Sequence, residues 1–167
     1  MELTLPRAHV DEMIAHARED DPNECCGIIA GNDGRATKLY RAVNAEASPY
    51  RYNVDPKDLL RIYRDLDEQG WDVLVIYHSH THTEAYPSPT DVRLAAWPEA
   101  FYVLVSLQDK ASPVVRAFHI TDGQVSEDER EHWAQHVLPL PGMSRFFLQA
   151  RLAPGGCMDD GEVRAWD

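Results

Sequence analysis

Apolar residues recur along this chain with two periods, and each period predicts its own elements. Val10, Met13, Ile14 and Ala17 lie at helical spacing and predict an amphipathic helix ahead of Glu24. Cys26 to Ala30 reads as a short strand, with Asn32-Asp33-Gly34 as the turn that ends it. Thr37 to Val43 alternates as a half-buried strand does. Leu59, Leu60, Ile62, Tyr63 and Leu66 predict a second helix, entered after Asp55-Pro56 and stopped near Gly70. Trp71-Asp72-Val73-Leu74-Val75-Ile76-Tyr77 is a β-branched run that reads as a buried strand. Ser88-Pro89-Thr90-Asp91 has the form of a helix start, with Ser88 as N-cap and Pro89 at the first helical position. That helix is expected to run through Val92, Leu94, Ala95 and Ala96 until Pro98 limits it. Phe101 to Leu107 predicts another buried strand, with a partner across Val114 to Thr121. Helices interleaved with strands of mixed pattern predict an α/β or α+β sandwich, and 167 residues suit one hydrophobic core.

The pattern weakens after Val125. The expectation is a principal domain over 1–125 and an acidic C-terminal extension over 126–167, partly helical or disordered. Glu127-Asp128-Glu129-Arg130-Glu131 is a solvated helix face or a mobile segment, and Leu138-Pro139-Leu140-Pro141-Gly142 a linker. Phe146, Phe147, Leu148 and Leu152 predict a short helix packed on the domain or on a neighbouring subunit, which keeps a homo-oligomer open. A net charge of −12 without basic clusters argues against nucleic acid as a partner. Three cysteines, Cys25, Cys26 and Cys157, two of them adjacent, do not make a disulfide framework. The start has no basic and apolar leader, and no run approaches the roughly 18 apolar residues of a membrane span, so a cytoplasmic setting is expected.

The chemistry concentrates between Tyr77 and Asp91. His78 and His80 are two apart at the end of a strand pattern, so both imidazoles share one face, with Cα atoms about 6.6 Å apart. Two imidazoles and one carboxylate are a common protein ligand set for catalytic zinc. A turn from the strand end to the helix start brings Asp91 toward the pair. Plainer readings exist for each part. Ser88 to Asp91 also fits a simple capping box, neutral histidines are ordinary on strands, and Glu24 follows a turn-like Asp21-Pro22-Asn23. His82 would share the face of His78 and His80 if the strand continued, giving a three-histidine site. Thr81 to Tyr86 has no strand pattern, however, so His82 is expected in a loop at the site mouth.

The combination of Glu24, His78-Ser79-His80, seven intervening residues and Ser88-Pro89-Thr90-Asp91 resembles the signature of the JAMM (MPN-plus) zinc metallopeptidase family. Asp21 to Gly31 is similar to that family's segment around its glutamate. Val75 to His80 and Glu84 to Ser88 look most like its short bacterial branch, of the CysO–cysteine peptidase type. The resemblance covers approximately Val10 to Val125. Other zinc patterns fit worse, since His-Glu-x-x-His and Pro-Cys-x-x-Cys are both absent. The resemblance implies a curved mixed β-sheet flanked by helices, the MPN or cytidine-deaminase-like fold. It implies one zinc ion (Zn2+) per chain on His78, His80 and Asp91, with Glu24 as general base and acid and Ser88 as a donor to the oxyanion. By the same resemblance the substrate is a ubiquitin-like sulfur-carrier protein, cut after its C-terminal Gly-Gly to release cysteine or a short extension. Isopeptide cleavage of the desampylase or deubiquitinase kind, and a non-catalytic scaffold, are the alternatives.

Overall fold

The computed structural model describes residues 3–128. The element order is α1 (Arg7–Asp20), β1 (Cys26–Asn32), β2 (Arg35–Ala42), α2 (Pro56–Gln69), β3 (Asp72–His80), α3 (Pro89–Leu94), β4 (Phe101–Ser106), β5 (Val114–Thr121) and β6 (Gln124–Glu127). The strands form one mixed six-stranded sheet in the order β2-β1-β3-β4-β5-β6. Only β3 and β4 run parallel, and α3 lies in the crossover between them. The β1–β2 and β5–β6 hairpins both turn through Asp-Gly, with positive φ at Asp33, Gly34, Asp122 and Gly123, as tight two-residue hairpins require. Among the described residues no helix is long and apolar enough to cross a membrane.

The sheet is covered on both faces, which makes the fold α/β. Along β1 and β3 successive side chains alternate faces. Ile29, Val75 and Tyr77 cluster with Val10, Met13 and Ala17 of α1. Cys26, Ile28 and Ala30 cluster with Ile62 and Leu66 of α2 on the opposite side. Farther along that second face, Ile76, Tyr102 and Ile120 pack against Val92 of α3 and Ala95 just beyond it. The α1 stripe contains a polar member that its spacing did not announce: His16 is buried, and its Nδ1 lies 2.9 Å from the hydroxyl of the buried Tyr77. α2 begins and ends as expected. The Asp55 carboxylate accepts hydrogen bonds from the Lys57 and Asp58 amides, and Gly70 returns its own N–H to Leu66.

Two expectations change at element ends. α3 stops at Leu94 instead of continuing through Ala96. Pro98 has no N–H to return to the Leu94 carbonyl, and the Trp97 amide is engaged instead by the Tyr102 hydroxyl at 3.0 Å. β6 was not anticipated, and it runs through Val125 to Glu127, where Arg116 makes a two-pronged contact with the Glu127 carboxylate at 2.7 and 2.6 Å. The expected linker and short helix beyond it lie outside the described residues.

One close approach ties β1 to both of its neighbours, β2 and β3. A Cβ at Gly27 would lie 2.4 Å from the Tyr40 carbonyl oxygen and 2.4 Å from the Tyr77 ring. Gly27→Ala is therefore expected to lower unfolding free energy by about 1–3 kcal/mol in chemical denaturation. A change within about 0.5 kcal/mol would mean that the strand and ring give way freely.

Candidate metal centre

The site forms where the end of β3 meets the start of α3. Strand periodicity puts His78 and His80 on the same face as Ile76, under α3. His78 is wholly buried, between its register partners Cys26 on β1 and Leu104 on β4. Asp91 arrives at the third helical position through a reciprocal capping box. The Asp91 carboxylate accepts the Ser88 amide at 2.7 Å, and the Ser88 hydroxyl oxygen accepts the Asp91 amide at 3.2 Å. The two imidazole Nε2 atoms lie 3.2 Å apart, with the Asp91 oxygens 3.5 Å from that of His78 and 3.4 Å from that of His80. Ligands about 2.0–2.1 Å from a tetrahedral zinc ion stand roughly 3.3 Å from one another, so this triangle has the dimensions of one zinc-binding face. His80 is further oriented by the Glu84 carbonyl, 2.9 Å from its Nδ1, and by the Thr83 hydroxyl at 3.1 Å.

Glu24 reaches the cluster from the loop between α1 and β1. It is only 5% exposed. Its amide donates to the Ser48 carbonyl at 2.9 Å, and its carbonyl accepts from the Asn44 carboxamide at 2.9 Å. The next residue is pinned to β3: the Cys25 amide donates to the Ser79 hydroxyl at 2.8 Å, and the Ser79 amide to the Cys25 carbonyl at 3.1 Å. The serine between the two histidines thus fixes the chain beside the glutamate. A cleft of about 510 Å³ lined by His16, Asn23, Glu24, Arg41 and Asn44, among others, opens next to it.

Comparison with known proteins identifies the family. The model of prokaryotic homologs of the JAB domain matches residues 6–121. This chain belongs to that family. The CysO-cysteine peptidase of Mycobacterium tuberculosis is 46% identical over 121 residues, which cover 71% of this chain and 83% of that protein. A desampylase of Haloferax volcanii is 36% identical over 62% of this chain and 80% of its own length. A probable TtuB-protein conjugate cleaving protease of Thermus thermophilus is 32% identical over 73% and 78%. Among solved structures, a protein from Desulfitobacterium hafniense superposes with a TM-score of 0.68 at 36% identity, covering 76% of this chain and 90% of that one. A JAB1/MPN domain protein from Archaeoglobus fulgidus matches the fold, with a TM-score of 0.50 at 16% identity over 75% of this chain and 94% of its own.

The electrostatics of this JAB-domain site separate its members. Burial pushes the Glu24 carboxyl up to about 7; the nearby His80 opposes that rise and Asp91 adds to it. Burial also raises Asp91, but hydrogen bonds with His78 and His80 outweigh it and hold the carboxyl far below the usual range. Burial lowers His78 in spite of its Asp91 contact. The same burial acts on His80, where Asp91 and the Glu84 carbonyl outweigh it and raise the group. The site therefore pairs an ionised carboxylate with a carboxyl poised near neutrality, the separation that acid–base chemistry needs.

His82 lies in the bend after β3, exposed, with its Nδ1 2.7 Å from the Thr81 hydroxyl. It stands outside the cluster of His78, His80 and Asp91. Cys26 is a buried thiol, which burial pushes up to about 12, with its sulfur 3.8 Å from the Ala42 carbonyl. Three supporting residues have no role that the sequence announces: Ser79, Asn44 and Tyr52, whose ring stacks on His78 at a centroid distance of 4.3 Å. Ser79 sat in plain view inside the motif, whereas nothing in the spacing of Asn44 or Tyr52 marks a loop that folds back on the site.

The raised Glu24 has a consequence for stability. Its ordinary value is 4.5 and its folded value about 7, so the stability tied to the protonated form is complete below 4.5 and lost as pH rises through 7. In chelated protein, Glu24→Gln should match wild type below that window and exceed it by about 1–3 kcal/mol at pH 8. Urea unfolding across the range checks this, and a pH-independent difference would contradict it.

Proposed function

We propose that this protein is a zinc-dependent peptidase. It hydrolyses the amide bond after the C-terminal Gly-Gly of a ubiquitin-like sulfur-carrier protein, releasing cysteine or a short extension. The observation that carries this reading is the triangle of His78, His80 and Asp91 with a buried, near-neutral Glu24 beside it. The likeness to CysO-cysteine peptidase over 83% of that protein's length supports the substrate class. His78, His80 and Asp91 would hold one zinc ion per chain, a donor set of nitrogen and carboxylate oxygen that suits this metal. When bound, zinc supplies Lewis acidity toward the scissile carbonyl and toward water.

The remaining chemistry belongs to the chain's own side chains. Glu24 takes the proton of the attacking water and returns it to the leaving amine, a task suited to a carboxyl near 7 and typically worth about 10²–10⁴-fold. The Ser88 oxygen accepts from the Asp91 amide, which leaves its own proton free to donate to the carbonyl oxygen as that oxygen becomes negative. Glycines in the substrate matter because an extended tail without Cβ atoms fits beside a buried cluster. Residues 1–125 would contain all of this chemistry, with 126–167 as an acidic extension, in a cytoplasmic setting. Isopeptide cleavage is the second reading, favoured by 36% identity to a desampylase. The complete set of Glu24, Ser88 and the three ligand residues speaks against a scaffold role.

Mass spectrometry of a carrier–Gly-Gly-Cys conjugate tests the proposal. The zinc-loaded protein should remove one cysteine residue, chelator should abolish the loss, and Glu24→Gln should retain zinc with turnover reduced by at least about 10²-fold. An intact conjugate alongside cleaved lysine-linked carrier would establish the isopeptidase reading instead. If neither is cut, the peptidase proposal fails.

A further inference from the structure

We infer that Tyr52 is a positioning residue for the metal centre, setting the orientation of His78 by ring stacking in place of a hydrogen bond. This rests on the zinc reading of the cluster. A metal-bound histidine ordinarily donates its second ring N–H to an acceptor, which fixes both tautomer and ring plane. His80 follows that pattern, with the Glu84 carbonyl and Thr83 hydroxyl at its Nδ1. His78 does not: its Nδ1 is buried and has no hydrogen-bond partner. What lies on the ring instead is Tyr52, stacked at a centroid distance of 4.3 Å and an interplanar angle of 22°. Rotation of the His78 ring out of this plane would lose the stack and carry Nε2 away from His80 and Asp91.

The stack can orient a ligand because the loop that carries it is itself held. Asn44 and Val54 form an isolated bridge that closes the loop, and the Ala45 amide donates to the Asn53 carbonyl at 2.8 Å. The buried Asn44 carboxamide is fully employed: its amide group donates to the Glu24 and Arg51 carbonyls, and its oxygen accepts from the Glu46 and Asn53 amides. Immediately after the bridge, Asp55 caps α2, so the exit of the loop is fixed by the helix. The Thr81 hydroxyl donates to the Pro49 carbonyl at 3.2 Å, and the Glu24 amide to Ser48, which attaches the same loop to both sides of the site. Tyr52 is therefore presented to His78 by a braced strap, and Glu24 and His78 are positioned by one loop.

The test compares Tyr52→Phe, Tyr52→Leu and Tyr52→Met with wild type. Zinc affinity is read by competition with a chromophoric chelator, and ligand geometry by the visible spectrum of the cobalt(II)-loaded protein. Tyr52→Phe keeps the ring, so affinity within about threefold of wild type and an unchanged cobalt spectrum are expected. Tyr52→Leu and Tyr52→Met should bind zinc about 10–100-fold more weakly, with an altered cobalt spectrum, as loss of an orienting partner typically does. Methionine retains most of the volume, so it remains informative if the leucine variant fails to fold. Wild-type affinity and spectrum in the folded aliphatic variant would overturn the role of Tyr52 while leaving the peptidase reading standing. Absence of zinc binding by wild type would remove that reading itself.

Discussion

The reciprocal pair of hydrogen bonds between Ser88 and Asp91 is the constraint on which the site depends. In an ordinary helix a capping box satisfies two exposed amides and does little more. Here the same carboxylate oxygen that closes the box faces His80, and its twin faces His78. Starting the helix and presenting the carboxylate are therefore one act. α3 is six residues long with no fully buried residue, and its apolar packing is limited to the partly buried Val92. Its cap, the proline at its first position and the cluster beside it hold it together, and a short connection leads from Leu94 to β4 at Phe101.

The sheet supplies the other half of the constraint. Pairing of Cys26 with His78 across β1 and β3 sets how far Glu24, two residues before Cys26, stands from the imidazoles. A slip of one residue would turn both histidines to the α1 face and bring Tyr77 and Ser79 to the site. Several features oppose that slip: the Ser79–Cys25 hydrogen bonds, the Gly27–Tyr77 contact and the Tyr77–His16 pair all lie on the α1 side. Polar chemistry on one face is thus registered by packing on the other. The cost is visible in Glu24, whose burial disfavours its charged form, an expense that the proposed acid–base role explains and folding does not.

Much of this was legible in the sequence because the strongest signals were local. The 3.6-residue spacing of α1 and α2, the buried runs of β3 and β4, and the Ser88 cap each depend on neighbours a few positions away. Resemblance to a zinc peptidase signature then joined Glu24 to residues more than fifty positions later, which no local pattern could do. What stayed hidden was of two kinds. The end of α3 and the brief β6 turned on competition among a few residues near a proline or a hairpin, where a single backbone donor decides the outcome. The Asn44–Val54 loop had no periodicity at all. Its order comes from one buried carboxamide and several contacts to distant strands, so Tyr52 could not be placed against His78 from spacing.

The proposed chemistry depends above all on His78, His80 and Asp91 being the residues that would hold a metal. Zinc content after exhaustive dialysis of wild type, His82→Ala and Asp91→Ala at neutral pH, read by elemental mass spectrometry, tests that most directly. About one zinc per chain in wild type and in His82→Ala, with near-complete loss in Asp91→Ala, is the predicted outcome. Retention by Asp91→Ala together with loss from His82→Ala would replace the carboxylate with a third imidazole and contradict the role assigned to the capping box.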